Sequence, residues 1–468
     1  MKIGYFLCNI GTKCAKIEIG LTSVCLHTVF CQAFIRILED KMEGKNGNKF
    51  FLKYVTLNVL GMIGLSCYIL ADTFFIARSI GADGLTALNI AIPIYSFIHG
   101  AGLMVGMGGA TRYSISKSKT IFTQSLYLVF ILSSVFLTIG LFLPNQLATL
   151  LGADMVTHHM ISVYLRVILC FAPAFMLNNL MICFVRNDGN PRLSMVAMLL
   201  GSFSNIILDY VFLFIFQLGM LGAAVATGIA PVVSLMILSS HRGNSKLGFH
   251  LHKSKPLLSA FTDISLLGVS SLITELSSGI VIIVFNIIIL RLLGNLGVAA
   301  YGIIANISLV IIAIFTGISQ GIQPIISQCY GERKYAPMKR ILRLGIVVAV
   351  MFGIIVYVVS CIYAESMVSV FNKEKDLQLL KIAKDGFYLY FISFLFTGFN
   401  FVLATYFGSI DQPKYSFLIS ILRGFLLIIP FTVILSILFG MTGVWIAMPL
   451  TELIVLAIFF KKGFNHIH

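Results

Sequence analysis

Ser204-Asn205-Ile206-Ile207-Leu208-Asp209-Tyr210 places an amide and a carboxylate four residues apart inside an otherwise apolar run over residues 194–216. Four residues is about one helical turn, so Asn205 and Asp209 point the same way, one above the other. An ionised Asp in hydrocarbon costs roughly 2.5–3.5 kcal/mol even on the milder scales, so such a side chain faces a partner, a cavity or an ion path. The rest of the sequence reads as the scaffold that accommodates this pair.

Of 468 residues, 58% are hydrophobic and 11% charged, and apolar runs of about twenty residues recur from end to end. That excludes a soluble globular domain and predicts an all-α polytopic membrane protein. Short alternating segments of the kind that build a barrel are not the pattern. The net charge of +15 falls in short segments between apolar runs, where Lys and Arg set topology, so no nucleic-acid partner is expected. Nine cysteines are scattered without CxxC spacing (Cys67, Cys170, Cys183, Cys329 and Cys361 lie in or beside spans), so neither a disulfide nor a cysteine metal site is expected.

Twelve spans are predicted, at 54–79, 86–110, 121–143, 159–184, 193–216, 219–240, 264–293, 298–322, 340–363, 383–408, 414–439 and 441–461. The even-numbered connections are basic (Arg112 to Lys119, Arg186 to Arg192, His241 to Lys255, Arg333 to Arg343, Lys414). The odd-numbered ones are nearly free of Lys and Arg, apart from Lys373 and Lys375. The positive-inside bias then predicts a plasma-membrane protein with both termini cytoplasmic.

The sequence also repeats at about half its length. Arg78-Ser79-Ile80-Gly81 is echoed by Arg291-Leu292-Leu293-Gly294, Pro191 and Ser194 by Pro413 and Ser416, and Gly219-Met220-Leu221-Gly222 by Gly440-Met441-Thr442-Gly443. Two six-helix halves entering from one side make a parallel repeat about an axis along the membrane normal, suited to a two-lobed carrier. The predicted units are an N-terminal extension and cytoplasmic segment (1–50), an N lobe (51–240), a linker (241–260), a C lobe (261–462) and a tail (463–468). Within the first unit, residues 1–41 are expected to take no part in the fold.

Laying one half on the other sets Asp72 against Phe285, Asn205 against Leu427, Asp209 against Phe431 and Thr227 against Met448. The duplicated scaffold is polar at these places only in its first half, which suits a cation site confined to the N lobe. Counting from the helix ends puts Asp72, Asp209 and Thr227 at one level, about 10–12 Å below the outer surface. Two carboxylates, an amide and a hydroxyl at one level suit a Na⁺ with hard oxygen ligands, or a shared proton.

These residues resemble the bacterial branches of the multidrug and toxic compound extrusion (MATE) family over roughly residues 50–462. The likeness rests on Ala71-Asp72-Thr73, on Phe184-Val185-Arg186-Asn187-Asp188-Gly189-Asn190-Pro191, and on Asn205 to Asp209. It also rests on Gly222-Ala223-Ala224-Val225-Ala226-Thr227, and on Gly317-Ile318-Ser319-Gln320-Gly321-Ile322-Gln323-Pro324 leading to Tyr330-Gly331. The resemblance implies a cation site at Asp72, Asn205, Asp209 and Thr227, with Na⁺ or H⁺ as coupling ion and no cofactor. It implies export of amphipathic, often cationic, organic molecules by a carrier in the lipid bilayer, expected to be a monomer.

Some branches carry acids on helices seven, eight and ten. Here the spacing of Glu275 from Gly268 departs from that pattern and no acid lies between Tyr388 and Gly408, so no C-lobe cation is expected. Glu275, His99, Asn179, Gln320 and Asn306 are candidates for the substrate cleft, with Glu452 a weaker acid on the last helix. Pro93, Pro231 and Pro430 are candidate bends.

The alternative in the same superfamily is a flippase or exporter of lipid-linked or other bulky amphiphiles. It calls for Arg and Lys lining the cleft, and mid-span basic residues read as nearly absent. A membrane enzyme calls for a His-Asp, Ser/His or zinc-type cluster, and His99 is the one clearly intramembrane His. Removing residues 1–41 is expected to leave transport intact; abolished transport by the shortened chain would contradict that assignment.

Overall fold

The computed structural model describes residues 46–243, 251–372 and 376–465. The proposed extension at 1–41, Lys373, Lys375 and the end of the tail lie outside the described residues. Nine helices among them are long and apolar enough to cross a membrane, and the pair His158–Cys170 and Ala172–Asn187, bent by 48°, makes a tenth. Two of the nine are double: Leu258–Gly331 turns at Gly294 and the run Pro413–Phe460 at Gly440, each glycine at positive φ, where a Cβ would be strained. Twelve spans result.

In chain order these are α1 (Asn46–Ser79), α2 (Ala82–Ser116), α3 (Ile121–Phe142), α4 (158–187), α5 (Pro191–Ile215), α6 (Gly219–Ser239), α7 (258–293), α8 (295–331), α9 (Tyr335–Phe371), α10 (Leu377–Ser409), α11 (413–439) and α12 (441–465). The bend in α4 falls at Phe171, where Pro173 removes an N–H and crowds the preceding turn. Pro93 and Pro231 sit inside continuous helices. Pro430 follows a widened π turn at Leu422–Leu426, closed by Leu427 N–H onto the Leu422 carbonyl at 3.0 Å. A short helix, Pro144–Leu150, fills the connection after α3.

The repeat is visible in the backbone. Gly81 and Gly294 both have positive φ, as do Gly219 and Gly440 (57° each) and Lys117 and Arg333 (55° and 56°). Asn190 (φ −118°, ψ 60°) and Gln412 (φ −120°, ψ 63°) precede Pro191 and Pro413 at the starts of α5 and α11. The partner positions read from the sequence are apolar core in the C lobe. Phe285 is fully buried, and Leu427, Phe431 and Met448 pack against the same cluster.

Each lobe has its own core, and the cores cross only near the basic connections. Phe51, Val55 and Val59 of α1 belong to the C-lobe core, and Ile264 of α7 belongs to the N-lobe core. Small residues let the helices meet there. A Cβ at Gly108 would lie 1.9 Å from the Ile264 carbonyl oxygen, and one at Gly268 1.8 Å from that of Met104. On the other seam, Cβ atoms at Gly317 and Gly321 would press on Val59 and Val55.

Polar contacts close the same end. Arg112 donates to Asp263 and to Asp411 (2.9 Å), Asn58 to the Gly317 carbonyl (3.0 Å), and Asn187 to Gln323 (3.0 Å), which in turn donates to Thr111 (2.8 Å). The glycine contacts continue only to mid-depth, where Gly279 faces Ser96. The lobes therefore form a V, joined at the basic end. The segment ahead of α7 is held on the N lobe by Gln124, which bonds Ser254, Lys255 and Leu257, and Asp188 lies 2.8 Å from His241 after α6.

Gly268→Val forces α7 off the α2 backbone. The expected loss is about 1–3 kcal/mol, read as a lower midpoint of thermal unfolding in detergent; an unchanged midpoint would contradict this packing.

Candidate functional site

Asn190 caps the start of α5, accepting from the Leu193 N–H at 3.2 Å, and Pro191 opens the helix with its φ already set. That phase turns Asn205 and Asp209 inward, both fully buried, while Ile207 and Tyr210 face outward. The helix widens into a π turn at Val211–Ile215 directly after Asp209, a distortion that often marks functional sites. Asp72 on α1 and Thr227 on α6 are 7% and 4% exposed.

The four predicted residues come together. With its amide turned so that both ends are satisfied, Asn205 donates to Asp209 Oδ2 at 3.1 Å while its oxygen accepts from the Thr227 N–H at 3.2 Å. The Thr227 hydroxyl donates to the Ala223 carbonyl at 2.9 Å, leaving its lone pairs for other donors. Asp72 lies within electrostatic range of Asp209. In both carboxylates Oδ1 is buried with no hydrogen-bond partner. Two acceptor atoms left bare inside the N lobe are costly unless a cation or proton meets them.

Three further groups complete the site. Tyr164 on α4 reaches the Thr227 hydroxyl and lies within electrostatic range of both carboxylates. The Tyr68 and Tyr95 hydroxyls are 2.7 Å apart, on α1 and α2. The bend in α4 supports the arrangement: Phe171 packs on Gly228, next to Thr227, where a Cβ would come within 2.4 Å of the ring. These tyrosines escaped sequence reasoning because nothing separates them from the chain's many core aromatics. Tyr68, one helical turn before Asp72, carried a usable signal.

A cavity of about 70 Å³ adjoins the cluster, with Thr227, Tyr68, Tyr95, His99, Asn179 and Gln320 in its walls. Of the predicted cleft residues, His99, Asn179 and Gln320 are therefore there. Glu275 meets His99 across the lobes, Oε2 to Nδ1 at 3.5 Å. Asn306 is exposed on α8 and takes no part in this cavity. Among the described residues, no three His, Cys, Asp or Glu side chains converge as metal ligands.

The MatE family model matches residues 58–211 and 270–434. The chain belongs to the MATE family. The multidrug export protein MepA of Staphylococcus saprophyticus is 27% identical over 410 residues, covering 85% of this chain and 89% of that protein. MepA of Staphylococcus aureus strain MW2 is 28% identical over 405 residues, covering 82% and 86%. Among solved structures, a MATE protein in complex with MaL6 superposes with a TM-score of 0.83 at 23% identity, over 92% of this chain and 98% of that one. A MOP superfamily transporter from Pyrococcus furiosus gives 0.81 at 23% identity, over 92% and 97%. At such identity these structures speak for the MATE fold: twelve helices in two lobes.

The C lobe of this MATE protein holds a buried charge of its own, which differs from the sequence reading that mid-span basic residues are nearly absent. Arg423, in the π turn of α11, donates to Glu452 through Nε (3.0 and 2.9 Å) and Nη2 (2.6 Å). Asn400 adds a bond of 2.6 Å to the same carboxylate, and Phe401 lies under the guanidinium at 4.3 Å. Glu452 is thus saturated and fully buried, with its counter-charge built in. Arg186, at the foot of α4, is a second buried cation, held by Asn58 (2.8 Å) and Gln320 (3.1 Å).

Arg423→Met leaves Glu452 uncompensated and is expected to cost roughly 3–5 kcal/mol, whereas pairing it with Glu452→Leu restores most of that. Thermal unfolding of both variants checks this, and equal midpoints for the single and double variants would contradict it.

Proposed function

We propose that the chain is a cation-coupled antiporter, exporting amphipathic, often cationic, organic molecules in exchange for Na⁺ or H⁺ by alternating access. The observation that carries the reading is the pair of buried, unpartnered Oδ1 atoms of Asp72 and Asp209. A structural carboxylate has its partners in place, as Glu452 does; this pair is left to be filled from outside. The MepA relatives of Staphylococcus are multidrug export proteins, which agrees with it.

The basic connections lie at the cytoplasmic face in this reading, so the V opens outward. A cation entering from outside meets Asp72 and Asp209, with the Asn205 and Thr227 oxygens completing an oxygen shell or the carboxylates sharing a proton. Neutralising two like charges at low dielectric removes their repulsion and lets α1, α5 and α6 repack. The repacking narrows the adjoining cavity and lowers affinity for the organic substrate, which leaves outward. The joined end, with Arg112 between Asp263 and Asp411, then opens to return the cation inside. Coupling can be no stronger than the difference in cation affinity between the two lobe arrangements.

Asp209→Asn or Asp72→Asn is expected to lower gradient-driven dye efflux from vesicles at least about tenfold, with the protein still inserted. Na⁺ and pH gradients imposed separately identify the ion. Wild-type efflux in either variant would overturn the proposal.

A further inference from the structure

His99 and Glu275 stand apart from the Asp72–Asp209 cluster, at the point where the two lobes part. His99 is on α2 of the N lobe and Glu275 on α7 of the C lobe, with Nδ1 and Oε2 3.5 Å apart and side chains 13% and 30% exposed. Gly100 brings the helices together there: a Cβ on it would lie 3.1 Å from that of Glu275. The imidazole is stacked on Tyr95, ring centroids 5.8 Å apart and planes 15° from parallel, and Phe175 meets the other edge of Tyr95 at 5.5 Å. His99, Tyr95 and Phe175 all line the cavity.

A protonated imidazole is itself a flat organic cation. In this structure the His99 ring lies on the Tyr95 face with its Nδ1 toward the Glu275 carboxylate, the two features that would hold a planar cationic substrate. Resting on the antiport reading, we propose that His99 is a built-in competitor for the substrate's cationic group, setting both the charge preference and the proton sensitivity of the cleft. With His99 protonated, Glu275 is satisfied internally and the flat cation is displaced. With His99 neutral, Glu275 is left without its counter-charge and takes the substrate instead.

The groups facing His99 are Glu275 from α7, Tyr95 from α2 itself and, through Tyr95, Tyr68 from α1; α4 contributes the Asn179 amide, which donates to the His99 carbonyl at 3.1 Å. Asp72 and Glu275 both lie within electrostatic range of Tyr95, so the apex pair and the cation cluster share one polar path. Imidazoles change charge between about pH 5 and 8, and the outward-open cleft meets the external medium, so acid outside favours release.

The test is equilibrium binding of ethidium, a planar cation, to the purified full chain in detergent at pH 6 and pH 8, followed by fluorescence anisotropy without any gradient. Wild type is expected to bind about tenfold tighter at pH 8 than at pH 6. His99→Gln should bind tightly at both, His99→Arg weakly at both, and Glu275→Gln weakly at both. Asp209→Asn, which by the antiport reading stops efflux and itself weakens binding, should still bind about tenfold tighter at pH 8 than at pH 6. This separates failure of the competitor from failure of the coupling site. A step that survives in His99→Gln, or vanishes in Asp209→Asn alone, overturns the proposal. If His99→Gln does not fold, tight binding at pH 8 by His99→Arg or Glu275→Gln does the same. Absence of ethidium binding by wild type at both pH values also overturns it.

Discussion

A carboxylate removed from water needs a counter-charge or hydrogen-bond donors, and the two lobes meet that requirement differently. In the C lobe the answer is permanent: Arg423 and Asn400 surround Glu452, and the cluster is closed. In the N lobe, Asp72 and Asp209 face each other's field, with a neutral amide, a hydroxyl and a tyrosine as their neighbours. The first arrangement holds helices together. The second leaves one oxygen of each carboxylate without a hydrogen-bond partner.

The geometry of the lobes depends on a complementary economy of size. Glycines at 108, 268, 317 and 321 let backbones touch near the basic connections, and amide and guanidinium contacts knit the same end. Lipid offers no hydrophobic reward for helix association, so close van der Waals approach and polar bonds decide where the lobes adhere. Both run out at mid-depth. The cavity, the His99–Glu275 pair and the Asp72–Asp209 cluster lie at or beyond that point, where the lobes part.

Much of the site was legible because it is periodic or duplicated. The spacing of Asn205 and Asp209 assigns them to one helical face, and comparison of the halves separates Asp72 and Thr227 from a scaffold that is apolar at the matching places. What was missed had no such contrast. Tyr164 and Tyr95 are aromatic residues among many, and only their hydroxyl contacts distinguish them, whereas Tyr68 lies one turn before Asp72. Arg423 and Glu452 are 29 positions apart, and a π turn sets their meeting. A marked bend falls in α4 beside Pro173, a proline the sequence reading did not single out, whereas Pro93 in α2 and Pro231 in α6 sit inside continuous helices.

The amino-acid order alone determined the twelve apolar spans, the basic asymmetry of their connections, the repeat and the four polar residues of the N lobe. Each of these is a local or periodic property, fixed by hydrocarbon thickness, helical pitch or comparison of one half with the other. Tertiary structure decided which acids are compensated and which are bare, that His99 answers Glu275 across the lobes, and that Asn306 stands away from the cavity. Those outcomes depend on helix rotation and crossing, which are set by side-chain packing between segments distant in sequence, and a one-dimensional pattern carries no record of it.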